Sequence, residues 1–206
     1  MRLQRLNSLF AIGLFALAVA VPTISSAADN GVRVRGTVVS RNADQLEVKS
    51  REGQLVKIAL KQGWVASGVA KATISDIKPG DYVGIASLPK AQGGDGALEV
   101  VIFPPAMKGT AEGSFGWDLQ PNSSMTNATV SNAVKSVEGS SVTVTYHGQE
   151  KKISIPPGTP VVSLTQATPD DVKPGAAVFV SAEKDAAGNL SSGLLVVGKN
   201  GVVPPM

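Results

Sequence analysis

The sequence repeats itself, and this repetition restricts the chain to folds built from two copies of one small unit. At a constant separation of 95 positions, residues 53–80 and 148–175 are identical at 11 of 28 positions without a gap. Residues 36–50 resemble 132–146 at a separation of 96. The chain of 206 residues is long enough for two units of under about 100 residues each. We therefore interpret it as an internal duplication.

Each copy has the pattern of short strands joined by turns. Residues 32–40 and 45–50 alternate apolar and polar side chains, as a half-buried strand does. Hairpin turns are predicted at 42–44 and 138–140, where Asn, Asp, Gly and Ser are concentrated. Later in both copies, a Thr-x-x-Asp sequence followed by Lys-Pro-Gly predicts a short helical turn that ends at once.

Three strands, a helical turn and two further strands is the order of a small OB-type Greek-key barrel. The sequence thus predicts an all-β protein with two tandem, five-stranded OB-like barrels at 29–107 and 128–206. An SH3-like barrel is the alternative, because a Lys-Pro-Gly-Asp turn before a strand also occurs in that fold. A barrel of this size fills its interior with side chains, so we expect no ligand inside it.

The segment between the copies, residues 108–127, has neither a strand period nor a helix period. About 20 residues without secondary structure are unusual in a compact protein, and such segments are often functional or act as linkers. This one contains Phe115, Trp117 and Met125, which a solvated linker does not need. We expect it to pack across the two barrels, as a functional loop or as a structural strap.

Residues 1–28 have the three parts of a secretory signal: a basic start, about 13 apolar residues and small residues before Asp29. A membrane span needs about 20 apolar residues, so a cleaved signal peptide is the better interpretation. Cleavage after Ala27 or Ala28 leaves no integral membrane span. The expected location of the mature protein is the periplasm or the exterior.

Cleavage also removes Arg2 and Arg5 but no acidic residue, so 19 basic and 16 acidic side chains become 17 and 16. A net charge of +1 gives little attraction toward nucleic acid or anionic membranes, and no nucleic-acid partner is expected. The chain contains no cysteine. Disulfides, thiolate catalysis and cysteine-based metal sites are therefore excluded.

A set of short motifs recurs along the first copy: Gly36-Thr37-Val38, Leu46, Val48-Lys49, Ala72-Thr73, Asp76, Lys78-Pro79-Gly80-Asp81, Val83 and Leu98-Glu99-Val100. In this pattern the chain resembles the DUF5666 family of exported bacterial proteins, over nearly all of residues 32–198. The second copy matches less fully, with Ala176 in place of the aspartate. These motifs are structural, so the resemblance implies a fold and an exported location rather than an activity.

Relatives in that family have the sequence Glu-Gly-His-Arg-Pro-Trp-Asp between the copies. Here the corresponding residues are Glu112-Gly113-Ser114-Phe115-Gly116-Trp117-Asp118, without the histidine and the arginine.

The sequence argues against catalysis, and we predict no catalytic residue and no cofactor. The only histidine, His147, is predicted in a hairpin turn, and no nucleophile motif is present. Glu112 and Asp118 are the only carboxylate pair in a plausible loop, and they make a carbohydrate-active enzyme the third hypothesis.

Soft-metal binding is the alternative to a plain binding protein, because thioether sulfur selects copper(I). The candidate ligands of a periplasmic copper site are His147, Met107, Met125 and Met206. Their separation in sequence weakens this hypothesis, and packing in the core or the strap also explains methionines.

The leading hypothesis is an exported, non-enzymatic binding or scaffolding protein of the cell envelope, whose partner is an envelope protein or a glycan. OB-type barrels bind ligands on strands two and three and on adjacent loops. The candidate binding residues are Arg41, Lys49, Arg51, Gln54, Lys57, Tyr146, His147, Gln149, Lys152 and Trp117.

Overall fold

The computed structural model describes residues 31–135 and 139–206, so the predicted signal peptide lies outside the described residues. The described chain is all-β, and within these ranges no helix has the length and apolar character needed to cross a membrane. Its strands are β1 (Gly31–Arg41), β2 (Gln45–Ser50), β3 (Leu55–Lys71), β4 (Tyr82–Pro89), β5 (Asp95–Phe103), β6 (Gly113–Gly116), β7 (Ser124–Val134), β8 (Ser140–Tyr146), β9 (Gln149–Ile155), β10 (Val161–Gln166), β11 (Ala177–Lys184) and β12 (Leu190–Gly198).

Five of these strands close into a barrel, which we call the first barrel. The ring runs β1–β2–β3–β12–β11 and back to β1. All neighbours are antiparallel except β12 and β3, which run parallel. The interior is filled by inward-pointing aliphatic side chains, among them Leu46, Val48, Ile58, Leu195 and Val197. Alternation along each strand therefore builds a core packed with aliphatic side chains.

The strands β4, β5, β9, β8 and β7 form a second ring, which we call the second barrel. Its strand pairs are antiparallel except at the contact between β5 and β9, where only Asp95–Ile153 and Gly96–Ser154 pair in parallel. Its core has the same character, with Ile85, Val100 and Val144 at 0% exposure. The second barrel thus closes through a much shorter seam than the first.

Each barrel takes three strands from one half of the chain and two from the other. Strands β11 and β12 complete the barrel that β1, β2 and β3 begin, whereas β4 and β5 pair with β7 and β9. This pairing differs from the predicted tandem barrels at 29–107 and 128–206. The alternation of apolar residues predicts the strands of a ring and their order. It does not predict which copy supplies each strand, because the two similar copies offer the same pairing surfaces to each other.

The length of β3 explains the exchange. This strand has 17 residues, or about 55 Å at the rise of an extended chain, which is longer than the wall of a small barrel. Its far end pairs antiparallel with β10, from Lys71–Val162 to Ser67–Gln166, while residues 67–69 still pair with β12 on their other side. The chain that follows each of these strands therefore begins at the opposite barrel.

A third apolar cluster fills the space between the barrels. It contains Val69, Val101, Val162, Phe179, Val196 and Met206, with Phe103, Trp117, Leu164 and Val202 packed against it. Its members come from both halves of the chain, and they bury outward-facing positions of both rings. The two barrels are consequently joined by a dry core as well as by strand pairing.

The predicted short helical turns are confirmed, as 3-10 turns at Ile74–Asp76 and Pro169–Asp171. The carboxylates of Asp76 and Asp171 accept hydrogen bonds from the backbone N–H of Thr73 and Thr168, each at 2.8 Å. A further 3-10 turn, Pro105–Met107, follows β5.

The segment 108–127 was expected to lack strands, and here the prediction is wrong. Residues 113–116 form β6, which pairs with 124–127 at the start of β7. The strand is four residues long and rich in glycine, so it has too few side chains to show a period of two.

The sequence alignment of the first hairpins also needs correction. Val38 pairs with Val48 and Val130 pairs with Val144, so the first strands of the copies are 92 positions apart and the second strands 96. The hairpin of the second copy is longer than that of the first by the difference between 92 and 96 positions. An alignment of both strands at a constant separation of 96 hides this difference.

Disulfide trapping distinguishes the exchanged from the tandem arrangement, because the chain has no cysteine of its own. Thr37 faces Ala177 across β1 and β11, so Thr37→Cys with Ala177→Cys should cross-link under mild oxidation. Tandem barrels would instead bring Thr129, which faces Tyr82 in this structure, opposite Ala177. A cross-link in Thr129→Cys with Ala177→Cys, measured by gel mobility and thiol alkylation, would contradict the exchanged fold.

Candidate functional site

The predicted binding residues are divided between two surfaces. Lys49, Gln54 and Lys57 are exposed on β2, β3 and the turn between them, in the first barrel. Tyr146, His147, Gln149 and Lys152 lie on β8, β9 and their turn, in the second barrel. Trp117 packs against the third apolar cluster between the barrels. The structure therefore does not unite these residues in one face.

Two of the predicted arginines have structural anchors. Arg41 donates from Nε to the carbonyl oxygen of Val172 at 2.8 Å, and its guanidinium carbon is 5.7 Å from the ring centroid of Trp64. Arg51 donates from Nη2 to the carbonyl oxygen of Pro204 at 3.2 Å. Arg41 lies at the rim of a groove, whereas Arg51 connects the β2–β3 turn to the last residues of the chain.

A four-residue bulge in β3 creates this groove. The pairing of β3 with β12 shifts between Leu60–Ser192 and Val65–Leu194, so residues 61–64 lie opposite Gly193 alone. Gly63 adopts a φ of 72°, which glycine tolerates without strain. Bulges re-aim side chains that a regular strand would point elsewhere. Here the bulge exposes Lys61 and Gln62 and places Trp64 against the edge of the first barrel's core.

The groove has a volume of about 510 Å³ and is bordered by Arg41, Asp44, Lys61, Gln62, Trp64 and Pro169. We call it the Trp64 groove. Lys61 pairs with Glu183 at 2.7 Å, but their side chains are 43% and 74% exposed, so the pair contributes little stability. Two cations and one carboxylate line the groove, while Glu183, the exposed partner of Lys61, lies outside this lining.

The sequence did not predict this site, because the third strand was expected to end at Leu60 and residues 61–64 were expected in the connection that follows it. A signal was present in the comparison of the copies. At a separation of 95, Lys61, Gln62 and Trp64 correspond to Pro156, Pro157 and Thr159, in the gap between β9 and β10. The second copy therefore has no charged or aromatic side chain at these positions.

Three other grooves among the described residues are larger, but their linings offer fewer groups that could bind a ligand. Two of them, of about 610 and 630 Å³, flank the crossing of β3 and β10. In the first of these, Lys199 and Asp171 neutralise each other at 2.7 Å. The third, of about 560 Å³, has Lys57 as its one charged side chain among the described lining residues. None of the described residues that line these three grooves is aromatic.

Arg35 and Asp118 connect the segment after β6 to the first barrel. Arg35 donates to both carboxylate oxygens of Asp118, at 2.7 and 3.2 Å, and from Nε to the oxygen of Met206. Burial disfavours the ionised form of Asp118, but the hydrogen bonds and charge of Arg35 outweigh this effect and lower the pKa of Asp118. The guanidinium carbon of Arg33 lies 4.1 Å from the ring centroid of Trp117. These contacts fix the junction of the two barrels.

Glu99 is a buried carboxyl group on β5 in the same region. The residue is 1% exposed, and its Oε1 has no hydrogen-bond partner among the described residues. Burial raises the pKa of Glu99 to about 7, although Arg35 and Arg51 oppose the rise. The nearby charge of Asp118 adds to it. A carboxyl group in this state changes its ionisation close to neutral pH.

The candidate copper ligands lie on different elements. Met107 borders a groove at the crossing strands, Met125 is buried in β7 and Met206 lies in the third apolar cluster. His147 occupies the β8–β9 turn, where its backbone N–H donates to Oε1 of Glu112 at 2.9 Å. Within the part of the chain that the structure describes, no group of three or more histidine, aspartate or glutamate residues could hold a metal ion.

The two candidate catalytic carboxylates are engaged by different barrels. Glu112 accepts the hydrogen bond from the β8–β9 turn of the second barrel, whereas Asp118 binds Arg35 in β1 of the first. Each carboxylate thus has its own structural partner.

A buried serine, a lysine and an aspartate meet at the seam between β5 and β9. Oδ2 of Asp95 accepts a hydrogen bond from Ser87 at 2.8 Å and lies 2.7 Å from Nζ of Lys151. The hydroxyl of Ser154 donates to the carbonyl oxygen of Asp95 at 2.9 Å. A serine nucleophile needs a direct contact with its base. Here Ser87 and Lys151 each bind Asp95, so they do not form such a pair. The network strengthens the short seam of the second barrel.

Comparison with known proteins gave no match in a scan of family models, in a search of curated proteins or in a search of solved structures.

The raised pKa of Glu99 predicts a pH-dependent stability. A carboxyl group with a pKa of about 7 in the folded chain and 4.5 when unfolded favours folding below pH 4.5. That contribution is lost as the pH rises toward 7, at a cost of about 3 kcal/mol. Relative to the natural chain, Glu99→Gln should therefore gain about 3 kcal/mol in unfolding free energy between pH 4.5 and 8.

Urea unfolding at the two pH values measures this gain. The matched control is Glu150→Gln, which changes an exposed carboxyl group on β9. If Glu99→Gln and the natural chain lose stability in parallel over this range, Glu99 does not titrate as described.

Proposed function

We propose that this protein is an exported, non-enzymatic binding or scaffolding protein of the cell envelope, located in the periplasm or secreted. The observation that supports the proposal best is the Trp64 groove. Its bulge interrupts the pairing of β3 with β12 and places an indole and two cations around a solvent-open space. Polar and aromatic groups that converge on a groove of this volume are typical of small-ligand sites.

We further propose that both rings are OB-type barrels. In support, the third and fifth strands of each ring pair in parallel and the first and fourth pair antiparallel. OB barrels bind ligands beside strand three and the loop between strands one and two. The Trp64 groove occupies this place in the first barrel, because Asp44 belongs to that loop and Trp64 to β3.

Fluorine NMR of the chain labelled with fluorotryptophan tests the proposal, since Trp64 and Trp117 are the only two tryptophans. The probes are cell-wall oligosaccharides, envelope peptides and copper(I), each added separately to the full chain. We expect one of the first two classes to shift the Trp64 resonance saturably, while Trp117, which packs between the barrels, stays unchanged. Trp117→Phe assigns the two signals.

Arg41→Gln should weaken this response, and Lys71→Ala, at a different groove, should not. If no probe class shifts Trp64 and native mass spectrometry shows no adduct, the binding proposal fails. A copper adduct that disappears in His147→Ala would replace it with the soft-metal hypothesis.

A further inference from the structure

The indole of Trp64 provides a flat apolar surface at the Trp64 groove. The side chain packs against the core of the first barrel, so its orientation is fixed before a ligand arrives. Aromatic faces carry partial negative charge and attract the positive edge of a C–H-rich surface. The C–H face of a sugar ring is such a surface. The guanidinium carbon of Arg41 lies over this ring, 5.7 Å from its centroid, so a sugar ring can stack on the part of the half-buried indole that Arg41 leaves uncovered.

Arg41 provides a directed cation beside this platform. Its Nε is held by the carbonyl oxygen of Val172, and among the described residues its terminal Nη nitrogens have no hydrogen-bond partner. A fixed guanidinium presents paired N–H groups that match the two oxygens of a carboxylate. Lys61 adds a second cation, whose exposed partner Glu183 a bound anion could replace.

Asp44 and Gln62 provide hydrogen-bonding groups for neutral hydroxyls. Asp44 is held next to β3, since its carbonyl oxygen accepts the backbone N–H of Leu60 at 2.7 Å. Its carboxylate can accept from a hydroxyl, and the amide of Gln62 can both donate and accept. A carboxylate in the groove also opposes ligands with densely spaced charges, such as nucleic acids and polyphosphate.

The bulge itself argues against an extended peptide. Strand addition needs a regular row of free backbone N–H and C=O groups at a sheet edge. Residues 61–64 instead leave the regular ladder of β3, and the groove is bordered by them together with side chains from other elements, such as Arg41 and Pro169.

We infer that the Trp64 groove binds an anionic sugar residue of the uronate type, as part of an acidic polysaccharide. This inference depends on the proposed binding function and names its ligand class. The sugar ring stacks on Trp64, its carboxylate pairs with Arg41 and Lys61, and its hydroxyls bind Asp44 and Gln62.

Calorimetry on the full chain tests the inference with three matched probes. These are a short oligogalacturonate, the same oligomer with its carboxyls methyl-esterified, and an oligoglutamate of equal charge. We expect the oligogalacturonate to bind at least about tenfold more tightly than either of the others, because only it combines stacking with charge pairing. Fluorotryptophan NMR should place its binding at Trp64.

Variants of the groove should follow the same logic. Trp64→Ala should weaken oligogalacturonate binding by about tenfold or more. Because Trp64 also packs on the core, Arg41→Lys provides a second test that keeps the charge but loses the paired N–H geometry. Lys61→Ala should weaken binding, whereas the matched control Lys71→Ala, which removes an exposed lysine from the same strand, should not.

The outcomes separate this inference from the proposed function. Equal binding of oligoglutamate would show a general anion site, and equal binding of the ester would show a neutral-sugar site. Either result overturns the uronate inference and leaves the binding function intact. If all three probes fail while another envelope component shifts Trp64, the inference alone fails. If nothing shifts Trp64, both fail.

Discussion

The antiparallel pairing of β3 with β10 is the contact on which the rest of the structure depends. Through it, the end of β3 from the first copy and the separate strand β10 from the second copy lie side by side between the barrels, from Lys71–Val162 to Ser67–Gln166. The chain after each strand must then complete the other ring. The third apolar cluster and the pairing of Arg35 with Asp118 follow from this crossing, since both bring together outward-facing residues of the two rings.

The strands and turns of each copy could be predicted from the sequence, because a period of two and turn residues act over a few positions. The exchange of strands could not, because both copies present equivalent edges. Glu99 shows the consequence. On a separate barrel, a glutamate flanked by buried valine would be expected to face water, but here the crossing covers it and raises its pKa to about 7.

The candidate site was predictable only in part. Arg41 was identified from its place next to the first hairpin turn, but Trp64 was not named as a binding residue, because nothing in the local sequence predicts the bulge that positions it. The structure shows that Trp64 follows a glycine with positive φ in a bulge, and this conformation depends on the pairing of β3 with a distant strand. The informative feature in the sequence was a difference between the copies, Trp64 against Thr159, rather than their identity.

The unequal seams of the two barrels explain why the groove is in the first. There, β3 and β12 pair at eight positions, so the bulge at 61–64 leaves paired residues on both sides. The second barrel closes through two pairs, from Asp95 and Gly96, and depends on the buried contacts among Asp95, Ser87 and Lys151. A similar interruption beside that seam would remove a large share of the pairing that closes the ring. Duplication thus leaves the first barrel with enough redundant pairing to hold the Trp64 groove, whereas the second has no pairs to spare at its seam.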